Sequence, residues 1–362
     1  MKYLFHLLLI FVHLSLNGQS PTSNQEAIER ANTICEETYS KSQFPGLAVG
    51  VALGDKILFL KGYGYSDLKE ETAVDPSESL FRIGSVSKTL TSVALGQLIK
   101  DGLVNPDKDV REYVKYFPDF HPKMTVAHVA GHLAGVRHYK GLEFWNDKEY
   151  EDVKSGIEIF MNDPLLYTPG DKYSYSSYGW NLISAVVEEA SEVPFLDFMA
   201  QKVFNPAEMK NTFPEQEGKH IERQVKYYVL DKNENKEARD VNNSYKWAGG
   251  GFIGTAEDLL KFSIALQKEK ILDQETLHLL QLPQSLNNGE KTNYGMGWSS
   301  NEDKKGRKWT GHSGGSVGGT TMFLVYPEYD LTVVTLVNQS SARMDQLAWK
   351  VANQFLTVLE KE

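Results

Sequence analysis

Cysteine is nearly absent: Cys35 is the only one in 362 residues. No internal disulfide is possible, so the fold must rest on packing. Cys35 also stands too far past the N-terminal apolar run to read as a lipid-attachment cysteine. Basic residues are in deficit, 38 Lys and Arg against 48 Asp and Glu, for a formal charge of −10. That balance opposes nucleic-acid binding, and no Lys/Arg cluster reverses it. Beyond its N-terminus the chain lacks any apolar run of the ~20 residues that a membrane span needs. It also lacks an H-E-x-x-H helix. His128 and His132 are spaced i, i+4 and His138 follows, but no acid lies between them and no carboxylate cluster stands nearby, so no metal ligands are assigned.

What is present is the composition of a globular protein, 41% hydrophobic and 24% charged. The opening MKYLFHLLLIFVHLSLNGQS puts Lys2 before an apolar run of about 14 residues and closes on small and polar residues, the layout of a signal peptide over residues 1–19. The mature protein is therefore expected to be exported, to a periplasm or outside the cell, with no membrane span. Its oligomeric state is not legible.

Two β-rich runs in PGLAVGVALGDKILFLKGYGY (45–65) flank Gly54-Asp55-Lys56, and TTMFLVYPEYDLTVVTLVNQ (320–339) repeats the form around Pro327-Glu328-Tyr329-Asp330. Both read as hairpins of one antiparallel sheet. Between them, apolar spacing of three and four predicts helices over 85–101, after Thr125, and over 179–191, 194–203 and 256–268, with another over 344–360. The charged run from Asp231 to Glu237 reads as an exposed loop.

Within GSVSKTLTSVALGQLIKDGL (84–103), Lys88 falls in the first helical turn, where the helix dipole disfavours an ammonium group. A serine is a poor nucleophile unless a neighbour takes its proton, and a lysine takes it only when neutral. Burial beside the positive end of a helix pushes Lys88 in that direction, one turn from Ser85. The bare Ser-x-x-Lys pattern is weak, because Ser66-Asp67-Leu68-Lys69 also fits, in a setting that reads as a surface turn. Two further segments add weight. Tyr175-Ser176-Ser177 sits at a loop-to-helix junction, and His312-Ser313-Gly314-Gly315 directly precedes a strand pair, where glycine N–H groups can face a developing oxyanion.

With Ser85-x-x-Lys88, Tyr175-x-Ser177 and His312-x-Gly314 in that order, the sequence resembles the serine β-lactamase and penicillin-binding-protein superfamily. Within it the likeness is to class C β-lactamases and β-lactamase-related serine hydrolases, including the mitochondrial β-lactamase-like proteases. It runs through MTVAHVAGHLAGVRHY (124–139), AGGGFIGTAEDLLKF (248–262) and YGMGW (294–298) as well. The resemblance implies an α+β, β-lactamase/transpeptidase-like fold, an antiparallel sheet flanked by helices with an inserted all-helical region. Residues 24–80 and 290–362 would form the sheet domain and 81–289 the helical domain carrying the first two motifs. It implies a serine hydrolase acting through an acyl-enzyme on Ser85, with Lys88 accepting or relaying the proton. Tyr175 would act as base, alone or with the lysine, and later protonate the leaving group. The N–H groups of Ser85 and Gly315 would form the oxyanion hole, and Ser177, His312, Ser313 and Gly314 would bind substrate. No metal or organic cofactor is implied; the partner is a small-molecule or peptide acyl substrate.

Two departures stand out. Ser177 replaces the asparagine of class C β-lactamases, and His312 replaces a lysine with a group only partly protonated near neutrality. Both weaken the grip on a β-lactam and favour a peptide, amide or ester substrate. A penicillin-binding or sensor protein that acylates with little turnover, and a true class C-like β-lactamase, remain the other readings. Tyr173, Tyr178 and Trp180 fit either cleft lining or helix packing, His132 fits a structural turn beneath the site, and Gly249-Gly250-Gly251 fits a tight entry into the helix after Thr255.

Overall fold

A computed structural model describes residues 23–215 and 221–361. The expected signal peptide lies outside them. Seven strands form one antiparallel sheet: β1 (Gly46–Leu53), β2 (Lys56–Asp67), β3 (Thr72–Ala73), β4 (Ser299–Glu302), β5 (Lys308–Ser316), β6 (Gly319–Tyr326) and β7 (Leu331–Val337). Their order is β3-β2-β1-β7-β6-β5-β4. The two halves of the chain join where β1 pairs with β7, Leu47 opposite Val337 and Leu53 opposite Leu331. Every residue of β7, LTVVTLV, is buried because helices cover both faces of the sheet.

The faces follow from the two-residue period of a strand. Leu47, Val49 and Val51 pack with helices α1 (Asn24–Lys41) and α5 (Leu347–Leu359), whose Ala31, Cys35, Val351 and Phe355 fill the layer between. Ala48 and Ala52 turn the other way, into a core shared with α4 (Ala256–Gln267). Gly50 belongs to that face, and a Cβ there would stand 2.7 Å from Leu260 Cδ1, so the helix rests directly on the strand. At the centre of the helical part lie α2 (Ser87–Lys100) and α3 (Ser177–Ser191). Helix α2 is buried on nearly every side, which its apolar and small residues permit. Among the described residues no helix is long and apolar enough to cross a membrane.

Four local expectations change. The run from Asp231 to Glu237 is part of a hairpin, with strands at 228–231 and 234–237 and a turn at Lys232-Asn233 whose φ values are 48° and 69°. Ser66 is a buried β2 residue whose Oγ donates to the Thr72 carbonyl, because β3 folds over it. His312-Ser313-Gly314-Gly315 does not precede the strands but lies within β5. Helix α3 begins two residues earlier than its apolar spacing suggests, since Ser176 caps it by accepting the Gly179 N–H.

Candidate active site

Ser85 sits in a 3₁₀ turn, Gly84–Val86, that leads into α2. Gly84 has φ +52°, and a Cβ on it would lie 2.8 Å from Gly315 N, so only glycine lets this turn back onto β5. Gly314 is equally constrained, its missing Cβ being replaced by the Ile83 carbonyl. Gly315 itself is exposed and faces open space, leaving its backbone available beside Ser85. Three residues before Ser85, the buried Arg82 forks onto Glu215, with Nη2 2.7 Å from Oε1, and donates to the Val317 carbonyl at the end of β5. This pair fixes the nucleophile turn and the strand to each other.

One turn into α2, Lys88 is wholly buried. Its Nζ lies 3.0 Å from Ser85 Oγ, 3.2 Å from Ser177 Oγ and 2.5 Å from the Gly249 carbonyl. A neutral amine fits this set, two N–H bonds going to Ser177 and Gly249 and the lone pair facing the Ser85 hydroxyl. Burial pushes the Lys88 pKa well below its usual value, and the positive charge of Lys246 pushes the same way. Tyr175 donates to Ser85 Oγ at 2.8 Å from the opposite flank. Burial raises its pKa, so it stands as a phenol. Ser85 Oγ thus lies between a buried lysine whose pKa is pushed down and a tyrosine whose pKa is pushed up.

Ser177, at the first position of α3, touches the lysine through its Oγ and is almost completely buried. Two histidines hold this corner. His132, with φ +63°, accepts the Ser176 N–H on Nδ1 at 3.1 Å, and its ring lies 4.3 Å from that of Tyr175. His138 accepts the Ser177 N–H on Nδ1 at 3.1 Å. His132 therefore holds the backbone at the start of α3. Among the described residues no three His, Cys, Asp or Glu side chains converge to hold a metal ion.

The buried His312 has both ring nitrogens engaged. Its Nδ1–H donates to the Ser313 carbonyl at 2.6 Å, so Nε2 accepts from the Tyr294 hydroxyl at 2.8 Å. Burial, with Lys88 nearby, pushes its pKa down to about 3. The ring is neutral rather than partly protonated, because burial penalises the imidazolium. Its ring lies 6.2 Å from that of Tyr175, and the Ser313 side chain is exposed at the strand edge.

The profile of the beta-lactamase family matches residues 28–356. The chain belongs to that family. It is 28% identical to the human protein "Serine beta-lactamase-like protein LACTB, mitochondrial", over 91% of this chain and 80% of that one. It is also 28% identical to "Penicillin-binding protein 4*" of Bacillus subtilis, over 92% of this chain and 76% of that one. Among solved structures, the octameric penicillin-binding protein homologue from Pyrococcus abyssi superposes with a TM-score of 0.77 at 23% identity, covering 91% of this chain and 77% of that one. The family membership and this fold place the chain in the superfamily of serine β-lactamases and penicillin-binding proteins.

Three residues around Ser85 are not legible as site residues in the sequence. Gly249 does not simply lead into a helix; its carbonyl holds Lys88, from a short helical turn at Trp247–Gly250. Tyr294 donates to His312 and its ring lies 4.5 Å from that of His132 in a tilted contact, although it reads only as part of the YGMGW string. Lys246 is buried amid aromatic rings, and its signal was a lone lysine in the apolar stretch Tyr245-Lys246-Trp247-Ala248. Of the three aromatics left open, Tyr178 and Trp180 are core residues, while Tyr173 is 42% exposed on the Tyr294 side of the site.

Proposed function

We propose that this hydrolase of the β-lactamase family is an exported serine hydrolase that cleaves a peptide, amide or ester through an acyl-enzyme on Ser85. The observation that carries the reading is Ser85 Oγ held 3.0 Å from Lys88 Nζ and 2.8 Å from the Tyr175 hydroxyl, with Lys88 buried and its pKa depressed. Neutral Lys88 takes the Ser85 proton as Oγ bonds to the acyl carbon. The carbonyl oxygen, now negative, is met by the N–H groups of Ser85 and Gly315. Collapse breaks the bond to the leaving group, which takes the Tyr175 proton; the proton gained by Lys88 restores the phenol. Water then attacks the ester on Ser85, releases the acid and regenerates the hydroxyl.

The neutral, internally bonded His312 argues against efficient β-lactam turnover, since it offers no cation to a β-lactam carboxylate. His312 acts here by setting Tyr294 and the wall behind Tyr175, and the exposed Ser313 and Gly315 are left to meet substrate. Export rests on the signal-peptide layout of residues 1–19.

Intact mass after incubation with a fluorophosphonate, a short ester and a penicillin tests the reading. A single fluorophosphonate adduct that Ser85→Ala abolishes, with ester turnover, is expected. A stable penicillin adduct without turnover of any acyl donor would indicate a penicillin-binding or sensor role. Absence of both adduct and turnover would sink the proposal.

A further inference from the structure

In the proposed mechanism Glu215 takes no step, yet directly or through Arg82 it reaches three segments that build the site. The residue is 7% exposed. Arg82, three residues before Ser85, donates to its carboxylate from Nε at 2.9 Å and 2.8 Å and from Nη2 at 2.7 Å. The same guanidinium lies 3.8 Å from the ring centre of Tyr227 and donates from Nη1 to the Val317 carbonyl at 2.6 Å, just past the end of β5. Two further donors complete the set. Gln224 Nε2 gives a bond to Oε1 at 3.0 Å, and Asn243 Nδ2 gives one to Oε2.

Asn243 leads into the segment that holds the base. Residues 243–251 pass through the 3₁₀ turn Ser244–Lys246 and the short helix Trp247–Gly250, and the Gly249 carbonyl on that helix stands 2.5 Å from Lys88 Nζ. Glu215 grips both ends of this segment. Its carboxylate takes Asn243 at the start, and its own N–H donates to the Gly251 carbonyl at 2.9 Å at the close. Asn243 Oδ1 has no hydrogen-bond partner among the described residues, so that side chain is held through Nδ2 alone. The bond to the carboxylate is charge-assisted and about twice as strong as a neutral one, whereas Thr91 Oγ1 on the Ala248 carbonyl, at 3.3 Å, joins neutral groups. The segment also rests on the serine turn: a Cβ on Gly250 would lie 3.5 Å from the Gly84 carbonyl carbon, an ordinary contact.

We propose that Glu215 is a positioning residue for acylation: through Arg82 it sets the Ser85 turn against the end of β5, and through Asn243 and Gly251 it sets the Gly249 carbonyl that orients the Lys88 amine. This rests on the acyl-enzyme reading above. One side chain then registers the nucleophile to its base without bonding to either. Proton transfer needs the two groups within hydrogen-bond reach, and a misplacement of about 1 Å costs about 100-fold in rate. Loss of Glu215 is therefore expected to slow the chemistry within molecules that are folded.

Fluorophosphonate labelling of the purified protein tests this in two readouts: the final stoichiometry counts folded molecules, and the limiting rate reports the chemistry in each. Glu215→Gln keeps the shape without the charge, and Asn243→Ala cuts only the tie to the 243–251 segment. Both should reach the stoichiometry of the unaltered protein at a limiting rate about 10- to 100-fold lower, with the half-saturating probe concentration unchanged. If Asn243 acts through Gly249 and Lys88, Asn243→Ala slows labelling in the unaltered background and adds nothing in Lys88→Met. A normal limiting rate in either variant, whatever its stoichiometry, makes the network a matter of folding alone and overturns the proposal, as does an equal loss from Asn243→Ala in the two backgrounds. Should Glu215→Gln label no molecules at all, Asn243→Ala decides, since it leaves the Arg82 pair intact. Failure of the unaltered protein to label at Ser85 sinks the acyl-enzyme reading itself, whereas equally fast labelling of the unaltered protein and Glu215→Gln sinks only the positioning role.

Discussion

In the proposed mechanism Lys88 is the base, and among the described residues nothing around it offers a negative charge that would hold its proton. Its three partners are two hydroxyls and a carbonyl, and its nearest charged neighbour is another lysine. Lys88→Met keeps the length and removes the lone pair, so turnover should drop by about 10²- to 10⁴-fold, the range of general-base loss, with thermal stability retained or raised. Tyr175→Phe should cost a similar factor while preserving the 4.3 Å ring contact with His132. Stopped-flow measurement of acylation checks both, and near-normal rates in either variant would remove that residue from proton transfer. Part of this scale is legible in sequence. A lysine in the wrong turn of a helix breaks a local rule, and such breaks are visible without a structure. Gly249 and Tyr294 obey their local rules and acquire meaning only through partners distant in the chain, whereas Lys246 breaks one, as a lone lysine in an apolar stretch.

The elements that carry these residues are aligned by close backbone contact. The turn at Gly84 is pressed against Gly315, and the corner at Ser176-Ser177 hangs from His132 and His138. Gly84→Ala should destabilise the protein by at least ~1–2 kcal/mol through its left-handed backbone alone, and the added methyl should push β5 away and lower acylation more than stability. A urea melt beside a fluorophosphonate labelling rate separates the two effects. His132→Phe preserves ring packing but leaves the Ser176 N–H buried without an acceptor, at a cost of about 1–3 kcal/mol; urea denaturation measures it. The hairpins around Gly54 and Pro327 were readable because turn residues and alternating burial are local signals. The hairpin at 228–237 was not, since its second strand, Glu234–Glu237, is wholly polar and takes its place by pairing with Tyr228–Asp231 rather than by burying a face. The position of the His-Ser-Gly-Gly segment inside β5 escaped for a related reason: glycines weaken strand propensity, yet here they allow the strand to lie against Ile83 and Gly84.

Across the whole molecule, several bases are buried in their neutral forms. His132 and His312 are held well below their usual pKa, His312 at about 3. As pH falls below about 6.5 the unfolded chain takes up protons at these sites while the folded one does not, so stability falls with pH, by about 1.4 kcal/mol per pH unit for each such histidine. For His312 the loss continues down to a pH of about 3. The lysines give the same sign at higher pH: Lys246, at about 7 when folded, adds stability as pH rises from there toward 10.5. The melting temperature should therefore decline between pH 7 and pH 5, and His312→Asn should flatten that decline while lowering the plateau. A pH-independent melting curve in the unaltered protein would contradict the neutral assignment.

The contact between Gly84 and Gly315 has a consequence for measurement. The serine turn comes early in the chain and the strand that backs it comes late, and their contact depends on the same long-range docking that pairs β1 with β7 and Arg82 with Glu215. A chain without that docking has Ser85 and Lys88 close in sequence but lacks the backing strand. An acylating probe therefore counts finished molecules, and its labelling yield during refolding, set against the recovery of far-ultraviolet ellipticity, would time the last joining of the two ends of the sequence.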